Sequence, residues 1–130
     1  MSDTAIGIVL LTVAGIAYGG SFLLRVVNGK VAANDLQKTY FRAGHAHAGV
    51  LVILGLLIAV ILRGADIPGW ASWLSGGVLL GAILMPLGFF LSVVGTDPQS
   101  PNAMRYSIAA GGVSVAVGVV AAGVGLIIAG

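Results

Sequence analysis

Cysteine is missing from the chain altogether and so is glutamate, leaving Asp3, Asp35, Asp66 and Asp97 as its only acids. Without cysteine there is no disulfide, thiolate metal ligand or cysteine nucleophile, and the redox compartment is left open. Charged residues make up only 8% of the sequence against 58% hydrophobic ones. A soluble globular domain needs about a quarter charged residues to cover its surface, so that class is excluded; the mean hydropathy is +1.10. The six Lys and Arg residues are explained by membrane orientation, and no nucleic-acid partner is expected. The opening "MSDTAIGIVL" lacks a basic stretch and runs on at full spanning length, so it reads as a span rather than a cleavable signal peptide.

What is present is four long apolar runs, at about 4–27, 40–62, 70–95 and 106–130. Each holds roughly 20 residues or more, enough for a hydrocarbon core of about 30 Å at 1.5 Å per residue. Helices satisfy every backbone amide inside lipid, and the alternation of a barrel strand is absent. The expected fold is therefore all-α: a single domain, residues 1–130, forming an integral membrane bundle of four transmembrane helices. The connectors "NGKVAANDLQK", "RGADIPG" and "TDPQSPNAM" carry the expected breakers.

The first and third connectors share one side, with Arg25, Lys30, Lys38, Arg42 and Arg105; the other side has only Arg63. Lys and Arg concentrate in cytoplasmic loops, so the basic end is expected inside the cell membrane and both termini outside. Trp70 and Trp73 suit an outer interfacial anchor, Tyr40 and Tyr106 an inner one. Gly15/Gly19, Gly77/Gly81 and Gly44/Ala48 are small pairs at four-residue spacing, and the last span is almost wholly small and β-branched. Such surfaces pack closely where lipid gives no hydrophobic drive, either within a bundle or between protomers of a homo-oligomer. Pro86, followed by Gly88, is expected to kink the third span.

Bundling the spans gathers the polar chemistry at the basic end: Arg25, Asn28, Tyr40, Arg42, His45, His47, Ser92, Thr96, Asp97, Arg105 and Tyr106. No Asp or Glu lies within a span, which disfavours a proton-coupled transporter, and no lysine lies within one as a retinal pigment would want. Ser92, a histidine and Asp97 have no spacing that supports a hydrolase. No complete catalytic set is present. Arg25 and Asp97 are candidates for a purely structural ion pair.

His45 and His47 are the only histidines. Arg42 to Arg63 covers roughly 31 Å of helix, which places His45 about 4–5 Å and His47 about 7–8 Å inside the Arg42 level. Residues two apart on a helix point about 200° away from each other. The pair therefore cannot chelate one ion from a regular helix. Either the backbone is broken between Gly44 and Gly49, or each imidazole serves a different face. The alternative expectation is that both are structural, hydrogen-bonded to Tyr106, Asp97 or carbonyls across an interface.

"GHAHAGVLVILGLL", residues 44 to 57, resembles the His-x-His stretches of membrane helices in the haem–copper oxidase subunit I superfamily. It is also similar to short four-span bacterial membrane proteins with an HAHxxxLG-type motif. The likeness rests on His45, His47, the small Ala46, Ala48 and Gly49, and Leu51 to Gly55. It implies haem, or copper or another transition metal, bound through His45 and His47, with Arg42, Arg105 and Tyr106 as further cofactor contacts. With no other histidine, a full oxidase centre is impossible in one chain, and a second protomer or a larger membrane complex would complete the site. The alternative expectation is a non-enzymatic oligomeric pore, small-solute transporter or accessory subunit with structural histidines.

Overall fold

A computed structural model describes residues 1–130. All of its regular structure is helical: α1 (Asp3–Val27), α2 (Asp35–Leu62), α3 (Gly69–Ser75), α4 (Gly77–Leu91) and α5 (Arg105–Ala129). α1, α2, α5 and the combined stretch Gly69–Leu91 are each long and apolar enough to cross a membrane. The shortest of the four, 23 residues, extends about 34 Å at 1.5 Å per residue.

Helix starts follow capping rather than hydropathy. α2 begins at Asp35, five residues before the apolar run that marks it in the sequence, because Asn34 and Gln37 form a reciprocal capping box. The Asn34 side chain accepts from the Gln37 amide (2.9 Å), and Gln37 Oε1 accepts from the Asn34 amide (3.1 Å). Two orphan amides are satisfied by one pair of residues, so the polar segment Asp35–Thr39 joins the helix. At α1, the Ser2 hydroxyl caps the Ala5 amide and Asp3 sits in the first turn, where the helix dipole favours it.

The third span is interrupted at Gly76, and the helix then continues through Pro86 to Leu91. Gly76 and Gly77 form a pair of poor helix formers, and the break is tied off by serine hydroxyls. Ser75 donates to the Ser72 carbonyl (2.7 Å) and Ser114, from α5, donates to the Gly77 carbonyl (2.8 Å). Beyond Leu91 the chain leaves the helix, and Gly95 (φ 120°) and Asp97 (φ 51°) turn it with left-handed backbone.

The helices lie side by side in a row. α2 packs against α1 on one side and α4 on the other, while α5 packs on α4 and α3. Glycine sets the spacing of this row. An alanine methyl at Gly118 would lie 2.7 Å from the Val78 amide nitrogen, one at Gly111 2.8 Å from that of Met85, and one at Gly81 2.8 Å from the Gly111 carbonyl oxygen. Ser107, Gly111, Ser114, Gly118, Ala121 and Gly125 thus form one stripe along α5 that faces α4 and then α3. The two serines donate to the Leu84 and Gly77 carbonyls at 2.8 Å. Close backbone approach and interhelical hydrogen bonds are how helices gain association energy in lipid. The small-residue surface of the last span is thereby used inside the chain. The α2–α4 seam is made the same way by Gly44 against Phe89 and Phe90 and by Gly55 against Leu79. α1 is the loosest element, with Val26 its only buried residue.

The basic end is locked by Gln37. Its side chain is 7% exposed and donates to the Val93 and Gly95 carbonyls, both at 3.0 Å. Asn34 donates to the Asp97 carboxylate (2.9 Å) and the Pro98 carbonyl (2.7 Å). Asp97 therefore takes its bond from Asn34, and Arg25, its candidate partner, has no carboxylate within ion-pair distance. At the opposite end Arg63 pairs with Asp3 and donates to the Met1 carbonyl, tying the start of α1 to the end of α2.

Candidate histidine groove

α2 is helical without a break across Gly44–Gly49, so the two imidazoles leave it in different directions. His45 points at α1. Its ring nitrogens lie 3.7 and 3.5 Å from where methyl groups would stand on Gly19 and Gly20. His47 points at α4 and stacks on Phe89, with ring centroids 5.0 Å apart and planes 30° from parallel.

The two environments differ in chemistry. His47 Nδ1 lies 2.7 Å from the Ala43 carbonyl oxygen, one turn back on its own helix. A carbonyl only accepts, so this contact requires the proton on Nδ1. With that bond and an aromatic face against it, His47 has the surroundings of a packed side chain. His45 is half-buried and neither of its nitrogens has a hydrogen-bond partner in the chain. It lines an open groove of about 570 Å³ together with Thr12, Gly15, Ile16, Gly19 and Phe22 of α1, Ala48 of α2 and Phe90 of α4. Thr12 donates its hydroxyl to the Val9 carbonyl (2.6 Å), so His45 is the one lining side chain that offers a ring nitrogen to a ligand.

Two aromatic ladders fix these positions, and neither is evident in the one-dimensional sequence. Phe22 meets Phe41 edge-on (5.5 Å) and Phe41 stacks on Phe90 (5.6 Å, 23°) on the His45 side. On the other side Tyr40 meets Phe89 edge-on (5.7 Å), and Phe89 carries His47. Adjacent residues of α2, Tyr40 and Phe41, thus engage adjacent residues of α4, Phe89 and Phe90, at one depth. Each such pair adds roughly 0.5–1.5 kcal/mol beyond area burial. The signal available in advance was the placement of "YF" and "FF" at the same end of two antiparallel spans.

The remaining candidates separate from the histidines. Arg42 stands exposed one turn from His45 on α2. Arg105 lies over the Tyr106 ring at 5.2 Å, and Tyr106 is 65% exposed. Both belong to the first turn of α5, and neither bonds a histidine. No third His, Cys, Asp or Glu gathers with another pair to hold a metal ion. In comparisons with family models, curated proteins and solved structures, nothing matches this chain. The likeness of residues 44 to 57 to oxidase helices therefore stands on those residues alone.

Proposed function

We propose that the protein is a small, redox-associated membrane protein that binds haem through His45 at its basic face, as a homo-oligomer or within a larger membrane complex. The observation that carries this reading is an imidazole with both nitrogens unpaired, opening on an apolar, partly aromatic groove. The groove's volume falls in the roughly 300–1,000 Å³ range of small-molecule sites. With one free imidazole and no carboxylate or thiolate gathered beside it, the donor set would suit haem better than a bare copper or other transition-metal ion, which would lack further ligands. Haem would supply one-electron chemistry when bound; the chain's part would be to hold and orient it through His45. The five-to-one bias of basic residues supports a cell-membrane (inner-membrane) location with both termini outside.

The test is the absorption spectrum and metal content of protein purified from its membrane, followed by hemin titration. A Soret band lost in His45→Ala and kept in His47→Ala is expected. A colourless, metal-free preparation that takes up no hemin would sink the proposal. A second reading, an accessory subunit without cofactor, draws support from the looseness of α1, whose apolar faces lack partners within one chain.

A further inference from the structure

For a haem, the His45 groove is one ligand short. Besides His45, its only side-chain heteroatom is the Thr12 hydroxyl, which is donated to the Val9 carbonyl. His47 leaves α2 on the other side, against Phe89. None of the three methionines and three tyrosines lines the groove. Haem iron takes axial ligands from both faces of the macrocycle, and one chain offers an imidazole to one face only. The groove is also open toward the outside of the chain. A methyl group on Gly15 would have nothing within 4 Å, and one on Gly19 would meet only the His45 ring. The Gly15/Gly19 pair therefore packs no neighbouring helix; it leaves the imidazole reachable past a floor almost free of side chains. α1 ends the row of helices, and no residue of its apolar window is buried.

We propose that two copies of the chain share one haem between their α1 edges, each giving His45 as an axial ligand and covering one face of the macrocycle. This rests on the haem reading of His45 above and gives that site its partner and its stoichiometry. The membrane makes the second copy the fitting occupant. Five of the six basic residues stand at one end, a bias that gives every copy the same orientation, so copies are related by rotation about the membrane normal. A two-fold rotation of this kind, the commonest symmetry of homo-oligomers, sets the same patch on both sides of the interface. It preserves depth. The groove of one chain then faces the groove of the other, and His45 meets His45 of the partner subunit at its own level, where no residue of the same chain can reach. Ile16 and Phe22, which line the groove, give each face of the macrocycle an apolar contact.

The experiment titrates the full chain in detergent micelles with hemin, taking uptake above that of His45→Ala as specific. Three quantities are read: hemin per chain, iron spin state by electron paramagnetic resonance, and mass by native mass spectrometry. The expected result is saturation at one hemin per two chains, a six-coordinate low-spin signal, and a dimer that carries the hemin. Gly15→Leu fills the open groove without touching His45, and should weaken hemin binding at least tenfold with an unchanged circular-dichroism melt. Gly7→Leu, equally unobstructed but outside the groove, should bind as wild type does. One hemin per chain, a five-coordinate high-spin signal, or low-spin hemin on a monomer each overturns the shared site and leaves the haem reading intact. Wild-type affinity in Gly15→Leu removes the haem from the groove and overturns the shared site as well. No specific uptake of hemin overturns both.

Discussion

Replacing Gly118 with alanine should force α4 and α5 apart, and the structure sets how far. The added methyl would sit 2.7 Å from the Val78 amide nitrogen and 3.2 Å from the Gly77 carbonyl carbon. These are backbone atoms and cannot swing aside as a side-chain tip does. Restoring ordinary contact needs a local separation of roughly 0.7 Å, which also stretches the 2.8 Å bond from Ser114 to the Gly77 carbonyl. Overpacking of this kind costs about 1–3 kcal/mol. The helix-propensity gain of alanine over glycine, about 1 kcal/mol in water, offsets little here, because a span stays helical in lipid when its neighbours leave. Gly112 and Gly123 lie on the same helix with nothing within 4 Å of the corresponding methyl, so their alanine variants should stay within about 0.5 kcal/mol of wild type. Reversible unfolding by sodium dodecyl sulfate in mixed micelles measures the difference. Gly111→Ala should behave like Gly118→Ala, and the double variant should lose less than the sum, since a seam already opened admits the second methyl more easily. Equal stability of Gly118→Ala and Gly112→Ala would refute the argument that glycine sets this seam.

Gln37→Ala should destabilise by about 1–3 kcal/mol in the same assay, because it leaves the buried Val93 carbonyl, and the partly buried one of Gly95, without their donor. Gly95→Ala should cost about 1–3 kcal/mol, since φ of 120° suits only glycine, whereas Gly64→Ala, in open space, should be silent. Arg63→Gln should cost less than about 1 kcal/mol, the pair with Asp3 being exposed, while amide exchange in the first turns of α1 quickens measurably. His47→Phe should preserve the fold through its stack on Phe89 and leave any hemin uptake unchanged, in contrast to His45→Ala; loss of uptake in His47→Phe alone would reverse the assignment of the two histidines.

Much of the architecture was legible in order along the chain. Four apolar runs of spanning length dictate four membrane helices, because unpaired amides are intolerable in lipid. The two-residue spacing left His45 and His47 either on opposite faces of a regular helix or beside a break at Gly44–Gly49, and the intact α2 selects the first. What pattern reading missed was set by short-range polar chemistry: the Asn34–Gln37 box that starts α2 early, and the Gly76 break that hydropathy passes over.

Hydropathy acts locally, so the sequence by itself determined the membrane class, the number of spans and the gathering of polar groups at one end; helical periodicity separates the two histidines only once α2 is known to run unbroken. Which glycines are contacts and which are bare surface could not be read there: Gly111 and Gly112 are neighbours, yet one meets backbone and the other nothing. The same holds for the histidines. Their composition is identical, but Phe89 and the Ala43 carbonyl occupy His47, while the Gly19–Gly20 face of α1 leaves His45 unpaired beside a groove. Those differences depend on which helix lies opposite, at what distance and in what register, and only the tertiary structure decides that.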